Sequence, residues 1–153
     1  MGKGKEKEMS NWDLRWMQLA RLVSSWSKDR STKVGCCIIN GRDTVVAIGW
    51  NGFPRRIDDD VDERHERPAK YFWTEHAERN AIFNAANKGL ATQGCRMYVS
   101  WFPCVDCARA IIQAGIVEVI GGVEPDFEHH KFGEEFKVVR EMLEEAGIAT
   151  RFL

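Results

Sequence analysis

The sequence predicts a three-layer α/β/α sandwich on a five-stranded mixed sheet. Two observations carry this. β-rich runs alternate with helical stretches along most of the 153 residues, the pattern of a sheet covered by helices on both faces. Only a turn separates the first two runs, whereas each later run is reached through a helix. A turn joins antiparallel strands, and a helix-length connection is what parallel strands need.

The elements follow in order. Residues 1–10, "MGKGKEKEMS", are charged and read as a flexible, solvated tail, leaving 11–153 as a single domain. Ser10 with Asp13 three places on has the form of a capping box, and Trp12, Trp16, Leu19 and Val23 recur at helical spacing, so a helix is expected over 11–26. "KVGCCIIN" and "TVVAIGWN", joined by "NGRD", read as a hairpin. "CRMYVSW", "VEVIGG" and "IATRFL" supply three parallel strands, separated by helices over 75–89, 103–114 and 131–146. Pro103 opens the second of these and Gly147 closes the third. Residues 52–73 show no periodicity, only Gly, Pro and alternating charge, and a loop of that length in a small domain reads as a lid or binding loop. Its acidic run, Asp58, Asp59, Asp60 and Asp62, reads as a solvated face.

Composition narrows the function classes. No apolar run approaches the ~20 residues of a membrane span, and the charged N-terminus lacks the apolar core of a secretory signal, so a cytoplasmic protein is expected. Five cysteines, an odd number, point to metal binding or catalysis rather than a disulfide framework. A net charge of −1 argues against a polynucleotide held through its phosphates.

Two short motifs carry the chemistry: "TEHAER" at 74–79 and "FPCVDC" at 102–107. Each falls at the first turn of an expected helix. Side chains there tilt toward the helix N-terminus and can converge beyond its tip, so two meeting helix tips can bring the His76 imidazole and the Cys104 and Cys107 sulfurs to one centre. Three such ligands suit one Zn²⁺ with its fourth position open, the arrangement of a catalytic site. Glu78, beside the ligand His76, is placed to act as general base. H-x-E followed by P-C-x-x-C is a zinc-deaminase signature. The bland alternative is a scaffold zinc closed by Cys36, Cys37 or Cys95, each of which lies in or beside a β run where cysteine is commonly a small core residue.

From about Leu19 to Gly147 the chain resembles the cytidine deaminase superfamily, and more narrowly the deoxycytidylate (dCMP) deaminases. The resemblance rests on "SKDRSTKVG" (27–35), "GWNGFP" (49–54), "HAERNAI" (76–82) and "FPCVDCARAIIQAGI" (102–116). Phe102 stands where transfer RNA adenosine deaminases and guanine deaminases usually carry glutamate. The resemblance implies hydrolysis of dCMP to dUMP and ammonia. In it Glu78 takes the proton of a zinc-polarised water, passes it to N3 during attack at C4, and then protonates the leaving amino group. It also implies a homo-oligomer, dimer or hexamer.

For the substrate, Asn51 in the "GWNG" turn and Ala77 within H-A-E are expected contacts, with Phe102 or Trp73 stacking on the base. Lys28 and Arg30 are the first choice for the phosphate and Arg55 and Arg56 the second. Arg56 stands where the family's turn usually has glycine. Loss of a residue at home with positive φ puts regulation of this loop by dCTP and dTTP in doubt. The rival readings are a deaminase of a nucleoside, guanine or an RNA base, and a non-catalytic zinc-stabilised binding module. His129 and His130 are assigned no metal.

Overall fold

The computed structural model describes residues 9–153, so most of the N-terminal tail expected over 1–10 lies outside the described residues. Helix α1 spans Asn11–Ser24, followed by β1 Gly35–Ile39, β2 Val45–Trp50, the one-turn α2 Lys70–Trp73 and α3 Ala77–Asn87. The remainder alternates: β3 Arg96–Val99, α4 Val105–Gln113, β4 Glu118–Gly121, α5 Gly133–Glu145 and β5 Ala149–Phe152. The sheet order is β2-β1-β3-β4-β5. β1 is antiparallel to both its neighbours, and β3, β4 and β5 run parallel. The five-stranded mixed sheet expected from the sequence is therefore present, with the hairpin at one edge. Among the described residues no helix is long and apolar enough to cross a membrane.

Strand alternation sorts the core into two layers. Cys36 and Ile38 face α3, α4 and α5 together with Met97, Val99 and Val119, whereas Cys37 and Ile39 face α1 with Tyr98 and Ile120. This is the period-two exchange that a pleated strand imposes. Both layers depend on a glycine where a helix meets the sheet backbone. A side chain on Gly35 would begin 1.9 Å from the Ala20 carbonyl oxygen of α1, and one on Gly49 would begin 2.4 Å from the Ala77 carbonyl oxygen of α3. Only hydrogen fits in either place, and the second glycine is what lets the tip of α3 lie on β2.

The α1 capping box forms as expected, with the Asp13 backbone N–H donating to Ser10 Oγ at 3.1 Å and the Ser10 N–H to Asp13 Oδ2 at 2.9 Å. The apolar stripe is rotated from the expected one: Asp13, Met17, Ala20 and Val23 are buried, while Trp12 is 45% exposed. Close approach to Gly35 selects Ala20 for the contact and leaves the indoles at the rim, where Trp12 and Trp16 stack on each other at 5.3 Å. The other helices end within two residues of expectation.

Residues 52–73 are more ordered than their lack of periodicity suggests. They hold a 3-10 turn at Asp62–His65 and then α2, and an isolated antiparallel bridge pairs Gly52 with Glu75. The acidic run is not simply a solvated face. Asp59 pairs with Lys28 at 2.9 Å and Asp62 with Arg30 at 2.7 Å, ties between segments some thirty residues apart that no sequence window can see. Arg56 adopts φ +68°, so the left-handed conformation expected to vanish with the family's glycine is retained, at a cost of about 1–2 kcal/mol for a residue with a Cβ.

Candidate active site

Helices α3 and α4 point their N-termini at one another, and the capping residues are the ligating ones. His76 is the N-cap of α3 and Cys104 the N-cap of α4, both extended and neither using its side chain to cap its own helix. Their side chains are thus free to project beyond the helix tips. The Val105 N–H at the tip of α4 is served from outside, by Glu135 Oε1 of α5 at 3.1 Å. Glu135 was not singled out in the sequence, since the contact spans thirty residues and depends on how α5 packs.

His76 Nδ1 lies 3.4 Å from Cys104 Sγ and 3.5 Å from Cys107 Sγ, and the ligand atoms of this trio lie within 4.8 Å of one another. Bonds of about 2.3 Å to sulfur and about 2.0–2.1 Å to nitrogen, set at a tetrahedral angle, require a nitrogen–sulfur separation of about 3.5 Å. The spacing therefore fits zinc. Cys36, Cys37 and Cys95 are buried, free thiols outside this group.

The protonation pattern fits as well. The hydrogen bond from Cys107 pulls the Cys104 thiol down to about 4, with further help from His76 against the opposing effect of burial. The same bond, reinforced by burial, pushes Cys107 up. A divalent cation at this centre would take the place of the remaining thiol proton, because thiolate and not thiol is the ligand. Glu78 is 4% exposed, and Cys107 Sγ donates to its Oε2 at 3.5 Å. Burial raises the pKa of the Glu78 carboxyl, the direction expected for a group that takes up and returns a proton near neutrality.

A further residue escaped the sequence reading. Arg79 bonds Glu75 Oε1 at 2.6 Å and reaches Asp106 Oδ2 at 3.8 Å, tying the first turn of α3 to the first turn of α4. Glu75 Oε1 also accepts the His76 N–H at 2.9 Å. The only hint in the sequence was the i, i+4 spacing of Glu75 and Arg79.

A chain made of these parts has recognisable relatives. A family described as the cytidine and deoxycytidylate deaminase zinc-binding region matches residues 10–123. The chain belongs to that family. This deaminase is 39% identical over 145 residues to an uncharacterized deaminase of Aliivibrio fischeri, covering 95% of each chain. It is 38% identical to the deoxycytidylate deaminase of Mus musculus, covering 96% of this chain and 82% of the mouse one. The dCMP deaminase of cyanophage S-TIM5, solved in complex with dCMP and dUMP, shares its fold with a TM-score of 0.77 at 23% identity, over 95% of this chain and 100% of that one. The chain is accordingly a hydrolytic deaminase whose cofactor is Zn²⁺.

The expected substrate contacts divide. A cleft of about 210 Å³ is lined by Lys28, Asn51, Asp59, His65 and Thr74, with Trp26, Trp50 and Phe53 among its walls. The zinc trio is not part of this lining; Thr74, which is, stands two residues before His76 in the chain. Lys28 is thus in the cleft, and Arg30 is 57% exposed outside its lining. Asn51 is buried and spends its amide on backbone, accepting from Val34 N–H at 2.9 Å and donating to Thr32 O at 2.8 Å. That staples the 27–34 segment to the turn after β2, the role its Asn-Gly turn suggests. Ala77 is fully buried. Phe102, expected as a stacking ring, is instead a core residue: 3% exposed and edge-on to Phe127 and Phe136. Trp73 is half-buried with the Arg64 guanidinium 4.1 Å over its ring. Arg55 lines a second, smaller cleft with Asn80 and Asn84.

Proposed function

We propose that this deaminase converts dCMP to dUMP and ammonia, with His76, Cys104 and Cys107 as zinc ligands and Glu78 as its catalytic acid and base. The observation that carries the assignment is a buried carboxylate in contact with a ligand trio at zinc spacing. Zinc held by these three residues would supply Lewis acidity that polarises a water. Glu78 would accept a proton from the attacking water and deliver it to N3 as the water oxygen attacks C4. It then carries the second proton to the exocyclic nitrogen, which departs as ammonia and leaves a uracil carbonyl. One carboxylate serves both steps because its burial keeps the neutral form accessible. Arg79 and Glu75 hold the two helix tips in register, and Lys28, assisted by Arg30, takes the 5'-phosphate.

The mouse relative's name supports the nucleotide reading, as does a cleft lined by the Lys28 ammonium. The test is ammonia release from dCMP, dCTP, deoxycytidine, cytosine and guanine by zinc-quantified enzyme. Preference for dCMP is expected. Equal turnover of deoxycytidine would remove the phosphate contact, and preference for guanine would remove the pyrimidine assignment. Self-association as a dimer or hexamer is part of the proposal, supported by exposed Tyr71, Phe72 and Phe83; sedimentation as a monomer at assay concentration would refute it. Cys36, Cys37 and Cys95, buried free thiols outside the ligand trio, support a reducing, cytoplasmic setting.

A further inference from the structure

The loop after β2 is tied to the segment after α1 by two kinds of contact. At its C-terminal end Lys70 meets Asp29 at 3.0 Å, with side chains only 11% and 7% exposed, and Lys70 Nζ also donates to Ser31 Oγ at 2.8 Å. Asp29 further accepts from the backbone N–H groups of Ser31 and Thr32. In its middle the loop is held by Lys28–Asp59, with side chains 69% and 31% exposed, and by Arg30–Asp62, at 57% and 73%. A buried, fully hydrogen-bonded pair is costly to break, whereas exposed pairs contribute little and exchange with other ions. The loop is therefore fixed at both ends, by the Gly52–Glu75 bridge and at α2, and releasable between them at residues 59–62.

The releasable stretch is also a wall of the cleft. Lys28 and Asp59 both line it, on the same cavity as Thr74 and Asn51. The Asp59 carboxylate presents both oxygens to the Lys28 ammonium, at 3.0 and 2.9 Å. His65 reinforces the arrangement, with Nε2 2.6 Å from the Asp59 carbonyl oxygen and its ring stacked on Phe53 at 4.7 Å.

We propose that Asp59 is a specificity-determining residue: its carboxylate occupies the Lys28 ammonium as an internal substitute for phosphate, which a nucleotide's phosphate must displace. The inference rests on the reading that Lys28 receives the 5'-phosphate. A free phosphate ion gains only the exchange of one acceptor for another at Lys28 and is held weakly. A nucleotide makes the same exchange while its base is bound at the zinc end, so the two contacts reinforce each other. Asp59 thereby screens simple anions from the cleft while admitting phosphate attached to a base. The Arg30–Asp62 pair beside it closes the same segment and opens with it.

The experiment compares wild type with Asp59→Asn, which keeps the shape and the hydrogen-bond acceptor while removing the charge, and with Lys28→Gln. Read-outs are kcat/KM for dCMP and for deoxycytidine and the inhibition constant of inorganic phosphate. Asp59→Asn is expected to raise the dCMP-to-deoxycytidine preference about two- to fivefold and to tighten inorganic phosphate by a similar factor, the range of an exposed ion pair. Lys28→Gln is expected to collapse the preference. If Lys28→Gln does so while Asp59→Asn leaves preference and phosphate inhibition unchanged, the displacement idea is overturned and the phosphate contact stands. If Lys28→Gln leaves the preference intact, the phosphate contact itself fails and the inference with it. A purely structural tie would instead weaken both substrates alike in Asp59→Asn, which also overturns the inference; Asp62→Asn, one step from the cleft, serves as the second variant should Asp59→Asn misfold.

Discussion

Each face of the sheet buries a polar cluster, and the two are built on opposite logic. On the α1 face, Asp13 accepts from Tyr98 Oη at 2.6 Å and from Arg151 Nη1 and Nη2 at 3.1 Å each, while Arg151 Nε bonds Glu118 at 2.6 Å. Opposite charges meet directly and bind the chain's last strand to its first helix. On the α3–α4 face, His76, Cys104, Cys107 and Glu78 contact one another, and three of them form a ligand set beside the carboxylate. The first cluster is complete within the polypeptide; the second is a donor set suited to a cation. Burial of polar groups is thus not itself a sign of function. What separates the two is whether the partners supply complementary charge.

Four measurements would sharpen or break this contrast. The largest effect is expected from Glu78→Gln, which should lower turnover by about 10²–10⁴-fold, the usual contribution of a general acid–base group, with zinc still near one per chain by metal analysis. Appreciable activity in that variant would put the proton transfer elsewhere. Arg151→Met attacks the other face and takes the guanidinium from the buried Asp13 carboxylate, so a stability loss of about 3–5 kcal/mol is expected in urea denaturation. Zinc content of the folded fraction should be unchanged. Arg79→Gln loosens the tie between the helix tips and should weaken zinc about tenfold in chelator competition, as loss of a supporting contact does. An unchanged affinity would show the tips to be positioned by packing alone.

The smallest effect is confined to acid. Burial pushes the Asp13 carboxyl up, but hydrogen bonds from Arg151, Tyr98 and the Ser10 N–H outweigh it and hold the group well below the ordinary carboxylate range. A lowered folded-state value means that this stabilisation is complete above the unfolded value of about 3.9 and is lost as pH falls below it. Wild type should therefore lose stability below about pH 4, and Arg151→Met should show a shallower loss over the same range. Parallel acid limbs in the two proteins would assign the acid sensitivity to other carboxylates.

Several of these features were legible in the sequence because they are local. The alternation of runs predicts the sheet, the Ser10–Asp13 spacing predicts a cap that forms, and H-A-E with P-C-x-x-C predicts a ligand trio that the fold brings together. The contacts that support the trio were not legible. Glu135 reaches Val105 across thirty residues, Arg79 bridges two helices, and Gly49 matters only because α3 lies on β2. Phe102 shows the reverse case, an aromatic next to a catalytic motif whose ring turns into the core.

Residue types and spacing alone determined the kind of chemistry, because metal ligands, helix tips and strand periodicity are properties of neighbours along the chain. Only the tertiary structure decided which cations already have partners, which backbone donor is capped from afar and which residues wall the cleft. Those outcomes depend on the burial of pairs far apart in sequence, and burial is set by how the layers close on one another.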